Sequence, residues 1–315
     1  MKFAFLIQRA YTGGLASMHT RMKEALERRG HEVDKLVVQE EDVIGKVEEG
    51  DYDVVHLYFT PFLNLKFFVR ILKLNLTSSE KVFVNYYNIK PENLFRRIVK
   101  RTFLPLLCTL VVLPSENMEN FYREEIGIDN TATLRPIVEE KFYEIESEGD
   151  NIIYFGHSRP DKGIDRLIEI ASEDMKIHTY FIQDRERVYG QHPEIEQKIE
   201  EGSIVWRDEM PEDALREAKV SLFPFHHLQS TVDLPLALIE SLAAGIPVLT
   251  SDIAPVNEYL PEEFLVEDWS RENIEQRIEK IDSDFYREKA RNAAEDMEVD
   301  ESSVIDHYME IIREA

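Results

Sequence analysis

Residues Phe223 to Asp252 read FPFHHLQSTVDLPLALIESLAAGIPVLTSD, and this stretch decides the fold. An apolar run ends at Pro224, a polar loop crosses to Asp233, and an apolar helical segment carrying Glu240 follows. The turn Ala243-Ala244-Gly245-Ile246-Pro247 then leads into a second apolar run. Strand, loop, helix, turn and strand in that order form a β-α-β unit, which implies parallel strands joined by a crossover helix. A carboxylate in so apolar a helix is costly to bury without a partner. Two readings of Glu240 follow: its oxygens accept hydrogen bonds from a vicinal diol such as a ribose, or they pair with an arginine.

Working outward, YFGHSRPDKGIDRL (154–167) repeats the logic as strand, glycine, cation-bearing loop and helix. Arg159 and Lys162 leave the carboxyl end of a strand, where open α/β sheets bind ligands, and two fixed cations there suit a diphosphate. Solvated surface charge is the alternative. The backbone from Leu234 through Pro235 to Leu236 opens the Glu240 helix, where N–H groups face phosphate. Strands are expected at 152–156, 177–182, 203–206, 220–224, 247–250 and 264–266. Helices are expected at 163–172, 211–218 and 234–244. Residues 270–315 read as helices only, the last packing back on the first half.

The first half has the same alternation, with strands expected at 2–8, 33–38, 53–58, 81–87, 109–113 and 131–135. The helix 15–29 ends at Gly30, as a C-cap glycine would end it. Gly13 and Gly14 lie between the first strand and this helix, where glycine permits close backbone approach. A structural turn and a phosphate or sugar contact are equal readings. A G-x-G-x-x-G fingerprint is absent, which argues against a dinucleotide enzyme. The acidic stretch 139–150 interrupts the alternation. With 315 residues, more than one core usually serves, this divides the chain into domains 1–148 and 149–315.

Net charge is −25, which argues against nucleic acid as a partner. The charge is uneven: residues 57–115 hold nine basic against two acidic residues, a +7 segment that leaves −32 on the remainder. Cys108 is the single cysteine, which excludes a disulfide framework or a multi-cysteine metal site and fits a reducing, cytoplasmic setting. The longest apolar stretch, 103–114, contains Pro105 and is too short to span a bilayer.

These segments together resemble glycosyltransferase family 4, the retaining family with the GT-B fold. RAYTGGLASMHTRMKEALERRGHEV (9–33) and DYDVVHLYFTPF (51–62) are similar to its first-half pieces, GHSRPDKGIDRLIEIA (156–171) to its donor-diphosphate loop, and LPLALIESLAAGIPVLTSD (234–252) to its most specific segment. The resemblance implies two Rossmann-like domains facing across a cleft, the first binding acceptor and the second a nucleotide diphosphate sugar. That donor would be a co-substrate, with no cofactor and no divalent metal. Position by position it implies that Lys162 clamps the diphosphate, with Gly156 and His157 beside it, and that Glu240 binds the ribose.

The chain departs from the family pattern at three places. His157 stands where an arginine is usual, so Arg159 supplies that charge. Val232 stands where a second glutamate is common, so Asp233 takes over contacts to the transferred sugar. The histidine after the fourth strand is missing, since VNYYNIKP (84–91) offers Tyr86, Tyr87 and Asn88. His56 matches a histidine at the end of the third strand, acceptor-side or structural. A non-catalytic nucleotide-sugar-binding subunit is the main alternative, and an epimerase using His226 and His227 a lesser one. Finally, FLNLKFFVRILKLNL (62–76) and NLFRRIVKRTFLPLL (93–107) combine helically spaced cations with apolar faces. They suggest peripheral contact with an anionic membrane over 62–107 and a lipid-linked or glycan acceptor; helices packed on the first sheet with solvated cations are the alternative.

Overall fold

The structure is a computed structural model that describes residues 1–7, 14–38, 43–58, 65–77, 82–86, 94–228 and 233–315. Expectations that fall on Gly13, Tyr87, Asn88 and Val232 lie outside the described residues, as does the side chain of Tyr86.

The chain divides into two compact units. The first comprises Met1–Ile137, Thr231–Asp233 and Glu301–Ala315, the second Val138–Ser230 and Leu234–Asp300. The C-terminal helix Glu301–Glu314 therefore belongs to the first unit.

The first unit is built on strands β1 (Lys2–Ile7), β2 (Glu32–Val37), β3 (Val54–Leu57), β4 (Val82–Tyr86), β5 (Leu110–Leu113) and β6 (Thr131–Thr133). They pair in the order β2-β1-β3-β4-β5-β6, each pair parallel. Along β1, Phe3, Phe5 and Ile7 enter one core while Ala4 and Leu6 enter another. Leu110 and Val112 alternate with Val111 and Leu113 in the same way along β5. That period of two, apolar on both faces, is why the strands read as continuous apolar runs and why helices cover both sides. The C-terminal helix contributes Val304, Ile305, Tyr308 and Ile312 to the β1 core.

The second unit repeats the plan with β7 (Asn151–Gly156), β8 (Ile177–Phe181), β9 (Ile204–Trp206), β10 (Ala218–Phe223), β11 (Val248–Ser251) and β12 (Leu265–Val266). The order is β12-β11-β10-β7-β8-β9, again all parallel. Ile153 and Tyr154 face opposite cores.

Each order contains one reversal. After β7 the chain steps outward to β8, and after β10 it steps the other way to β11, so the loops following β7 and β10 diverge above neighbouring strands. The β1 and β3 loops stand in the same relation in the first unit. Such switch points leave a crevice at the carboxyl ends of the strands, where ligands of open α/β sheets bind.

Candidate functional site

In the second unit the segment after β7 is fastened to the segment after β10. Gly156 closes β7 at φ +154 and Gly163 has φ +73, both in the region that favours glycine. Around Gly163 the fit admits nothing larger, since a Cβ there would lie 1.8 Å from the Pro224 carbonyl oxygen. The His226 amide donates to the Asp161 carbonyl at 3.1 Å. Lys162 Nζ sits 5.0 Å from the centroid of the Phe225 ring. Thus the loop bearing Arg159 and Lys162 rests on Pro224–His226 directly, at the switch point that the strand order defines.

The rest of that loop is held by its own unit. The Tyr154 hydroxyl donates to the His157 carbonyl at 2.8 Å. The Ser158 amide donates to Gln183 Oε1 at 3.1 Å, and His192 Nε2 bonds the Ser158 carbonyl. Arg159 donates to Asp161 Oδ2 at 3.0 Å, so its charge is shared with a neighbour inside the loop.

Lys162 is buried, and burial, reinforced by the Arg159 guanidinium and opposed by Asp161, pulls its ammonium down to about 8. Burial, with Arg159 and Lys162 after it, also lowers His157. A cation held in a closed, partly desolvated place gains most from an arriving anion.

The Glu240 helix runs Leu236–Ala243, and Glu240 is buried within it. Pro235 has no N–H, so the expected amide donors reduce to Leu234 and Leu236. The Pro235 carbonyl itself starts the helix, accepting from Leu238 and Ile239.

Sequence reasoning missed Arg166. Its Nη1 donates to the carbonyls of Pro224 at 3.2 Å and Phe225 at 3.0 Å and to Ser251 Oγ at 2.8 Å. Trp269 Nε1 donates to the same Ser251 oxygen at 3.1 Å and offers its ring to the guanidinium. Arg166 therefore pins the Pro224–Phe225 backbone on which Lys162 lies. In the sequence it is one more cation on the polar face of an amphipathic helix; only the strand order reveals what it reaches. Gln183 carried no signal either. Of the histidine pair, His226 bonds both Asp165 carboxylate oxygens at 2.8 and 2.9 Å.

In the first unit, Gly14 opens the helix Gly14–Arg28 after β1. His56 is fully buried on β3: Nδ1 is 3.1 Å from the Tyr308 hydroxyl, and its ring stacks on Tyr58 with centroids 4.1 Å apart. Burial alone holds it down at about 3. Full burial, the Tyr308 contact and the stacking on Tyr58 fit the structural reading of His56. Asp233 is buried with Oδ2 accepting from Ser115 Oγ at 2.7 Å and Asn117 Nδ2 at 3.1 Å. Ser115 also caps the helix Glu116–Asn120 through the Met118 amide. Two Asp-x-Asp pairs occur in the chain, but Asp53 accepts from the Lys2 amide and Asp282 pairs with Lys219, both at the amino edges of their sheets.

Comparison with known proteins agrees with this architecture. Residues 149–284 match the family model described as Glycosyl transferases group 1. No curated protein matches the chain. Among solved structures, Anabaena HepE in complex with UDP-glucose is 14% identical over 100% of both chains, with a TM-score of 0.75. Sucrose-phosphate synthase from Thermosynechococcus elongatus is 13% identical over 99% of this chain and 98% of its own, with a TM-score of 0.76. A glycosyltransferase from Rickettsia africae is 12% identical over 99% and 98%, at 0.75. The fold is thus the α/β fold, with parallel sheets, of GT-B glycosyltransferase structures.

Proposed function

We propose that the chain is a retaining glycosyltransferase that moves a sugar from a nucleotide diphosphate donor to a hydroxyl of a glycan or lipid-linked acceptor. The observation that carries this reading is the seating of the buried Lys162 ammonium against Phe225, in a loop whose Gly163 meets the Pro224 carbonyl at the β7/β10 switch point. The group 1 family match over the same unit and the UDP-glucose complex of HepE support a nucleotide-sugar ligand there.

In this reading the bond from the sugar's anomeric carbon to the diphosphate oxygen breaks and a bond from that carbon to the acceptor oxygen forms. The acceptor's proton leaves with the diphosphate or to solvent. Negative charge gathers on the departing diphosphate, where Lys162, Arg159 and the Leu234 and Leu236 amides stabilise it; one such preorganised donor is worth about 3–4 kcal/mol. Glu240 accepts the ribose hydroxyls, the role that the family resemblance gives it. No residue is assigned as a nucleophile, and retention follows the family resemblance.

Donor hydrolysis by the wild type and by Glu240→Ala tests the reading. Slow nucleotide release by the wild type, weakened in the variant, supports it, and the initial anomer of the released sugar reports retention. Tight nucleotide binding with no release would favour the non-catalytic subunit instead.

A further inference from the structure

The two basic helices of the first unit each present an exposed stripe. On Leu65–Thr77, Val69, Lys73 and Leu76 are exposed at positions i, i+4 and i+7, one stripe of the helix. On Leu94–Leu107, Ile98, Arg101, Thr102, Pro105 and Leu106 are exposed at i, i+3, i+4, i+7 and i+8, again one stripe. The helices pack against each other, and Asn75 Nδ2 donates to the Leu106 carbonyl at 3.1 Å, so their C-terminal ends lie side by side.

Val69 is 52% exposed, Leu76 70%, Ile98 54% and Leu106 42%. Among the described residues these are four of the eight large apolar side chains so exposed, and all four lie on two helices that contact each other.

The charge of this face is opposite to that of the chain. Neither helix holds an acid, and together they carry Lys66, Arg70, Lys73, Arg96, Arg97, Lys100 and Arg101 in a protein of net charge −25. Lys100 is buried and donates to the Tyr122 hydroxyl, and Arg97 pairs with Glu125. Lys73 and Arg101 stand exposed within the apolar stripes.

We propose that this face docks on an anionic lipid bilayer, with the aliphatic side chains entering the headgroup boundary and the cations at the lipid phosphates. A nucleic acid would leave four aliphatic side chains without contact. An acidic protein would match the charge, but aliphatic residues spaced singly between cations along two neighbouring helices fit a lipid interface. The −32 on the remainder of the chain repels an anionic surface, which confines contact to this face and orients the protein on it. The inference is independent of the donor reading, because none of these residues belongs to the donor site.

The test is sedimentation of the full chain with vesicles of phosphatidylcholine alone or mixed with phosphatidylglycerol, at low and high salt. Binding is expected only with phosphatidylglycerol present, falling with salt. Lys73→Glu with Arg101→Glu should weaken it by about tenfold or more. The same charge change on the second unit, Lys176→Glu with Arg185→Glu, should leave it largely intact. Ile98→Ser with Leu106→Ser keeps every cation and should also lose binding. Absence of binding at low salt, equal binding to both vesicles, or an equal loss in the second-unit control overturns the proposal. Wild-type binding by the serine variant overturns the insertion of the aliphatic face. Nucleotide binding, measured without lipid, stays at the wild-type level in all variants whether or not vesicles bind.

Discussion

The Lys162 ammonium lies 5.0 Å from the centre of the Phe225 ring, buried and lowered to about 8. A free lysine holds its proton to 10.5, so the unfolded chain binds one more proton than the folded chain between about 8 and 10.5. Stability from this position is complete above 10.5 and is lost as pH falls through about 8. At neutral pH the buried charge therefore costs the fold about 3 kcal/mol. A diphosphate that pairs with the ammonium relieves that cost, so binding and instability share one origin.

Lys162→Met should accordingly raise the melting temperature of the ligand-free protein at pH 7 while abolishing its response to nucleoside diphosphates. In the wild type, binding near pH 9 should take up a proton, read by calorimetry in buffers of different ionisation enthalpy. A variant that is both less stable and still responsive would contradict the assignment.

Gly163→Ala and Gly190→Ala form a matched pair. The first adds a Cβ 1.8 Å from the Pro224 oxygen at φ +73; the second adds one with nothing within 4 Å. Gly163→Ala should cost several kcal/mol, on the order of a strained backbone plus a displaced loop, and lose nucleotide binding. Gly190→Ala should be neutral or stabilising by up to about 1 kcal/mol, since it lies within the helix Arg185–Gln191. Chemical denaturation and nucleotide titration separate the two.

Arg166→Lys retains the charge but not the planar fork that reaches Pro224, Phe225 and Ser251. We expect donor affinity to fall by about tenfold, one lost hydrogen-bond set of roughly 1.5 kcal/mol, with the acceptor constant unchanged. An equal rise in both constants would point to general loosening.

Acid should open the first unit through its histidines. His56 is lowered to about 3 by burial, and His19 to about 4 by burial and then Lys35. Both protonate near 6.5 when unfolded, so their stability contribution is whole above 6.5 and drains away as pH falls toward 4 and 3. Each unbalanced proton steepens the loss by about 1.4 kcal/mol per pH unit. His56→Phe should flatten the slope by about one proton. Hydrogen exchange of the β1 and β3 amides is the suitable probe, because both tryptophans, Trp206 and Trp269, lie in the second unit.

The strand and helix pattern was legible because parallel strands covered on both faces read as apolar runs, such as FAFLI (3–7) and IIYFG (152–156). Gly156 and Gly163 were readable as loop glycines, and Lys162 as a cation at a strand end. What the sequence could not supply is proximity. Strands β7 and β10 are neighbours although more than sixty residues separate them, so the contacts of Arg166, Phe225 and Asp161 across that seam carry no local signature. The same holds for His56, whose partner Tyr308 lies 252 residues away, and for Asp233, which meets Ser115 118 residues upstream.

The central claim is that the Lys162 loop and the Pro224–His226 segment hold a nucleoside diphosphate. Thermal shift with UDP, GDP, ADP and inorganic pyrophosphate, on wild type, Lys162→Met and Glu240→Ala, tests it most directly. At least one nucleotide should stabilise the wild type by about 2.7 kcal/mol at a hundredfold excess over its dissociation constant, with that shift gone in Lys162→Met and reduced in Glu240→Ala. A wild type that responds to none of them, or a Lys162→Met protein that responds as the wild type does, would contradict it.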